Sequence, residues 1–204
     1  MIEEWRNAVI DGKVHEWYSI SNYGRCASHI KLNHKTSGRG GCIKTIDKNQ
    51  FKILKPVRKY QNPKRKDIVQ CATHSFAFPP DFFEDYDYAK LKGGADGNVV
   101  RNCKLHRLVM EAFKPIDIFP PNRLKECWND TPEAAKKWIR ETAYVNHIDH
   151  NPDNNHVDNL EWVTPRENSR AAIKLYGKME NKHTVLLEST SNINSNALSI
   201  LLRD

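Results

Sequence analysis

The chain has 204 residues and carries 32 Lys and Arg against 25 Asp and Glu, a formal charge of +7. That length admits one ordinary domain, or a small core with an appended module, and the basic excess favours a phosphate backbone or anionic surface as partner. No apolar run approaches a membrane span, and the start MIEEWRNAV is acidic and aromatic instead of basic then apolar, which predicts a cytosolic protein without a secretory leader.

Cys26, Cys42, Cys71, Cys103 and Cys127 are odd in number and include no C-x-x-C pair. That pattern argues against a disulfide framework and against a cysteine zinc knuckle, so reduced thiols are expected.

Residues 5 to 30 read as short strands separated by turns, with Asp11-Gly12 as a hairpin signal and Asn22-Tyr23-Gly24 as a second turn. Trp5, Tyr18, Ser21, Asn22, Gly24 and Arg25 follow the order Trp, aromatic-rich strand, Ser-Asn-x-Gly-Arg. In this the stretch resembles the N-terminal modular domain of phage- and intron-encoded HNH homing endonucleases. A plain hairpin with Asn22 and Gly24 in left-handed conformation accounts for the same residues without a binding role.

Residues 31 to 70 are rich in Lys, Arg, Gly and Asn, and FKILKPVRKYQNPKRKDIVQ interleaves charge with Ile53, Leu54, Val57, Tyr60 and Val69. The pattern predicts a strand pair with a basic loop at its tip. Arg58, Lys59, Lys64, Arg65 and Lys66 are the candidates for tracking a DNA backbone, where neutralised phosphates release counterions. From Ala72 to Asn98 the composition turns acidic, aromatic and turn-rich, with Pro79-Pro80 and Gly93-Gly94 as breaks. It reads as an insertion whose aromatics pack locally.

Residues 105 to 113, LHRLVMEAF, place Leu105, Leu108, Val109, Ala112 and Phe113 on one helical face, with His106 and Arg107 on the flank. Thr131-Pro132-Glu133 predicts a second helix through Trp138 and Ile139, capped by Thr131 with Pro132 at its first position.

The densest chemistry lies in YVNHIDHNPDNNHVDNLEWVTPRENSRAA, residues 144 to 172. A strand over 143 to 148, a polar loop and a strand over 160 to 163 make a hairpin. Thr164-Pro165-Arg166-Glu167 is then a capping box that starts a helix running to Tyr176, with Gly177 as its stop. Asn168 falls in the first turn of that helix, on the face shared by Ala171, Ala172 and Leu175.

Asn146-His147, Asn159 and Asn168, in that order on strand, loop and helix, resemble the HNH nuclease motif. The resemblance implies a ββα-metal fold that hydrolyses phosphodiester bonds in double-stranded DNA and leaves 5′ phosphates. It implies His147 as general base, a task suited to an imidazole near neutral pH. Asn159 would fasten the loop and orient the histidine, and Asn168 would ligate the metal from the helix. Asn146 stands where the family often has an acidic metal ligand. In a regular strand Asn146 and His147 face opposite sides, which leaves Asp149 as an alternative anionic ligand. Mg²⁺ or Mn²⁺ is the implied cofactor. The family usually has Gly where this chain has His150, and His147, His150 and His156 also raise a zinc site. Zinc ranks below the hard cations because no cysteine or regular histidine pair completes that site.

The expected architecture is α+β: a small N-terminal β-sheet module over 1–70, a connector over 71–104, an HNH nuclease core with flanking helices over 105–176, and a tail over 177–204. Arg166 and Arg170 add DNA-binding candidates on the nuclease helix, and the protein is expected to act as a monomer in the cytoplasm of a host cell. A non-catalytic DNA-binding protein that keeps the ββα scaffold is the rival, with the neutral Asn146 as its support.

Overall fold

Asp11 and Gly12 both take left-handed backbone, φ 52° and 78°, the geometry of a tight two-residue hairpin. In this computed structural model, which describes residues 2–34, 42–57, 71–79, 82–83 and 98–171, that turn joins β1 (Trp5–Ile10) to β2 (Lys13–Ser21). Then β3 (Cys26–Ser28) follows, and β4 (Ile30–His34) pairs antiparallel with β5 (Cys42–Ile46). Short β6 (Lys52–Leu54) adds to β3, giving a four-stranded antiparallel sheet in the order β1-β2-β3-β6. The strand pair expected within 51–70 is thus represented among the described residues by β6, whose partner is β3. Arg58, Lys59, Lys64, Arg65 and Lys66 lie outside the described residues.

β7 (Thr73–Phe78) and β8 (Val99–Lys104) form a second hairpin. Here the expectation that the aromatics of this segment pack only locally is corrected. His74, Phe76 and Phe78 alternate inward along β7, and both phenylalanines are fully buried. Each removes enough apolar surface from water to contribute roughly 1.5–3 kcal/mol. Tyr18 of the N-terminal sheet stacks on Phe76 at 4.0 Å, and its hydroxyl accepts from the Ala77 amide at 2.9 Å. Period-two burial, not the acidic composition of its neighbours, governs this segment.

Helix α1 (Leu105–Phe113) follows β8 directly, with Leu105, Leu108 and Val109 buried as the periodicity requires. His106, on the flank of that face, is also buried, at 6% exposure. Arg107 bridges elements: it donates to Glu111 at 2.7 Å, to the Ala143 carbonyl at 3.0 Å and to the Arg140 carbonyl at 2.8 Å. The last two acceptors are carbonyls at the end of α2 (Glu133–Thr142), where a cation satisfies otherwise orphaned groups. The cap of α2 is Pro132, not Thr131. The Thr131 hydroxyl is spent on the Cys127 carbonyl at 2.8 Å in the preceding turn.

β9 (Tyr144–His147) and β10 (Leu160–Val163) form the last hairpin, and α3 begins at 165 and is described to 171. Its capping box is present: the Thr164 amide and hydroxyl both donate to Glu167 Oε2, at 2.9 and 2.8 Å, and the Glu167 amide returns to the Thr164 hydroxyl at 3.3 Å. The predicted run to Tyr176 and the tail lie outside the described residues. The fold is α+β, and one buried cluster runs through it from Ala8 and Tyr18 through Phe76 and Val109 to Leu160 and Trp162. Among the described residues no helix is long and apolar enough to cross a membrane.

Candidate active site

His147 pairs across the hairpin with Leu160, and Asn146 pairs with Glu161. Strand alternation therefore turns His147 toward the core, at 8% exposure, and Asn146 toward the opposite face. There the Asn146 amide donates to Glu161 Oε1 at 2.9 Å. A cleft on that face is lined by Asn122, Asn146, Glu161, Glu167 and Ala171, which brings β9, β10 and α3 to one place. Asn168 lies one residue after Glu167 on α3, half-buried, and is not among the residues lining the cleft.

His147 Nε2 stands 3.1 Å from Asn155 Oδ1. The same Asn155 amide donates through Nδ2 to the carbonyls of Pro152 and Asp153, both at 3.3 Å. Those two bonds fix the amide's orientation, so its oxygen accepts from an Nε2 proton and Nδ1 keeps the basic lone pair. Asn155, 5% exposed, was not singled out in the sequence, where it is one of several loop asparagines.

Asn159 holds the loop, and its side-chain hydrogen bonds go to Asp149 and Asn154, not to the histidine ring. Its Oδ1 accepts from the Asp149 amide at 3.1 Å, and its Nδ2 donates to Asp149 Oδ1 and the Asn154 carbonyl, both at 2.8 Å. Asp149 is engaged in the same network, accepting from Asn154 Nδ2 at 2.7 Å and from the Asn151 amide at 2.8 Å. The Asn154 amide foremost, then the Asn151 and Asn159 donors, hold its carboxyl below the usual aspartate range. His150 completes the turn with φ 61°, a left-handed conformation.

The N-terminal sheet reaches this loop. The Val157 amide donates to the Asn22 carbonyl at 2.8 Å, and Tyr23 meets His156 edge-on at 4.7 Å. Gly24, with φ +75°, lies against Asn155. The Ser-Asn-x-Gly-Arg turn thus supports the loop that holds His147.

On the buried side, the ring of His106 crosses that of His147 at 88° with centroids 5.3 Å apart. Burial, then the neighbouring His147, Lys104 and Arg107, lowers His106 to about 3, which keeps it neutral. One donor atom each of Cys71, His106 and His147 lie within 4.8 Å of one another. The expectation that no cysteine accompanies the histidines is corrected: Cys71 arrives from a segment far away in the chain, and His150 and His156 are not part of the group. Burial pushes the Cys71 thiol up, against the pull of Lys104.

Arg166 and Arg170 are exposed and four residues apart on α3, hence on one face.

A family model described as HNH endonuclease matches residues 139–170. A protein of Acanthamoeba polyphaga mimivirus, named as an uncharacterized HNH endonuclease, is 39% identical over 116 residues, 57% of this chain and 28% of its own length. A protein of the SPbeta prophage of Bacillus subtilis (strain 168), named for the HNH homing endonucleases, is 62% identical over 37 residues, 18% of this chain and 21% of its own. The matches thus span a quarter or so of those relatives. No solved structure matches the chain significantly. Residues 139–170 thus carry the likeness to the HNH endonuclease family, and both relatives are named for that family.

Proposed function

We propose that the chain is a homing-type DNA endonuclease, acting as a monomer on double-stranded DNA, with His147 as general base. The observation that carries this reading is the position of His147 Nε2, 3.1 Å from the oxygen of an asparagine that itself donates to two carbonyls. A base must present a lone pair, and Nδ1 is the atom left to accept the proton of an attacking water. Asn155 keeps the ring from rotating, and Asn159 with Asp149 keeps the loop closed behind it.

The donors that line the other face of the hairpin are oxygens, the amide of Asn146 and the carboxylate of Glu161, and Asn168 on α3 is the further ligand that the family resemblance implies. That set fits Mg²⁺ or Mn²⁺. Glu161 supplies the negative charge that Asn146 lacks, and Asp149 serves the loop, where its oxygens are already engaged. A bound cation would supply Lewis-acid polarisation of the phosphate and stabilisation of the leaving oxygen, and it would share that phosphate with His147 only where β9 ends, because Asn146 and His147 face opposite sides of the strand. Arg166 and Arg170 take DNA phosphates, together with the basic run 58–66.

The test is cleavage of long duplex DNA by the purified chain with Mg²⁺ or Mn²⁺. His147→Ala is expected to lose roughly 100-fold or more in rate, as for removal of a general base, while still binding DNA. Equal cutting by that variant overturns the assignment. The neutral Asn146 and the deep burial of His147 favour one rival, a DNA-binding protein that keeps the scaffold without the chemistry. Metal-tightened binding with no scission of its native target would establish that rival.

A further inference from the structure

We propose that Cys71, His106 and His147 form a binding site for a borderline-soft divalent cation, Zn²⁺ by their donor chemistry, separate from the oxygen-lined face of the hairpin. Cys71 lies two residues before β7, His106 lies in the first turn of α1 and His147 ends β9, so three segments converge on one point. Their donor atoms lie within 4.8 Å of one another. Zinc bonds of about 2.3 Å to sulfur and about 2.0–2.1 Å to nitrogen put tetrahedral ligands about 3.3–3.6 Å apart. Side-chain rotation closes the remaining ångström or so.

A second observation points to a missing partner there. His106 Nδ1 is the one buried side-chain nitrogen or oxygen without a hydrogen-bond partner among the described residues, on a side chain only 6% exposed. Buried polar groups are almost always satisfied, and an exception calls for a cause.

The framework holds the ligands in place. The Leu105 amide donates to the Ala72 carbonyl at 2.9 Å, tying the residue after Cys71 to the residue before His106. Val57 and Thr73 exchange two backbone bonds, at 2.8 and 2.9 Å, one residue further along the same strand entry. His147 is held by Asn155. One thiolate and two imidazoles select zinc over magnesium, and three protein ligands leave a fourth position for water. Binding releases the Cys71 thiol proton to solvent.

Occupancy also has a functional consequence, which rests on the reading of His147 as general base. An imidazole lone pair that binds Zn²⁺ cannot accept a proton, so zinc at this site would switch cutting off.

The experiment titrates the full chain, stripped of metal by a chelator, with Co²⁺. One equivalent is expected to give a thiolate-to-cobalt charge-transfer band that Zn²⁺ displaces. Cys71→Ser should abolish that band, His106→Gln should weaken Co²⁺ affinity at least tenfold, and Cys127→Ser, at an exposed thiol outside the cluster, should change neither. Absence of the band in the folded chain, or its persistence in Cys71→Ser, overturns the site. Should Cys71→Ser fail to fold, undiminished affinity in His106→Gln overturns it equally. In the cleavage arm, saturating Zn²⁺ should suppress Mg²⁺-supported cutting by the unmodified chain but leave Cys71→Ser at its own zinc-free rate. Equal suppression of both overturns the inhibitory role. A chain that shows the cobalt band yet never cuts DNA refutes the nuclease reading and leaves the metal site standing.

Discussion

A Cβ placed on Gly24 would stand 2.5 Å from the Cβ of Asn155 and 2.9 Å from its carbonyl oxygen. The turn of the N-terminal sheet and the loop that grips His147 are therefore in backbone-level contact. Gly24→Ala forces a left-handed φ on a residue with a side chain and drives it into backbone that cannot swing away. A destabilisation of roughly 2–4 kcal/mol is expected from strain and overpacking together, read as a lower urea midpoint. Because the displaced residue is Asn155, DNA cutting should fall even at temperatures where the variant stays folded.

His150 presents the reverse case. It adopts φ 61° while exposed, a conformation that costs a residue with a Cβ about 1–2 kcal/mol and a glycine almost nothing. Glycine's greater freedom in the unfolded chain returns part of that gain. His150→Gly is expected to be neutral to stabilising, by up to about 1 kcal/mol, or a rise of roughly 2–4 °C in Tm. A fall in Tm beyond about 2 °C would mean that the His150 side chain makes a contribution of its own.

Arg107 holds Glu111, the C-terminal end of α2 and the ring of Trp162 at once. Glu111 is already biased toward protonation, chiefly by burial, with Arg107 opposing that shift. Arg107→Leu leaves the carboxylate without its cation and two helix-end carbonyls without their donor. A loss of about 2–4 kcal/mol is expected, and Glu111→Gln in the same chain should recover part of it. Equilibrium denaturation of the single and double variants measures both.

His74 is buried in β7, and burial lowers its pKa from 6.5 to about 4. Below its unfolded pKa the unfolded state binds a proton that the folded state refuses. The stability associated with neutral His74 is thus complete above about pH 6.5 and is lost as pH falls toward about 4. His15, lowered by burial in the same direction, adds to this slope. Denaturation midpoints across that window should fall steadily, and a folded His74→Leu variant should show a shallower fall. An identical slope in that variant would remove His74 from the account.

Local pattern alone determined several elements. Helix α1 matches the apolar spacing of 105 to 113, β9 and β10 flank the polar loop as read, and Thr164 with Glu167 fixed where α3 begins, because these signals act within a few residues of one another. Strand alternation likewise separated Asn146 from His147 before any coordinates. Tertiary structure alone decided which asparagine meets His147, since Asn155 and Asn159 are chemically identical and only the fold of the loop distinguishes them. It alone turned His106 inward, brought Cys71 beside it, and seated Gly24 on Asn155. Those contacts join segments tens of residues apart, and packing between distant segments imposes no period or spacing on the sequence that carries it.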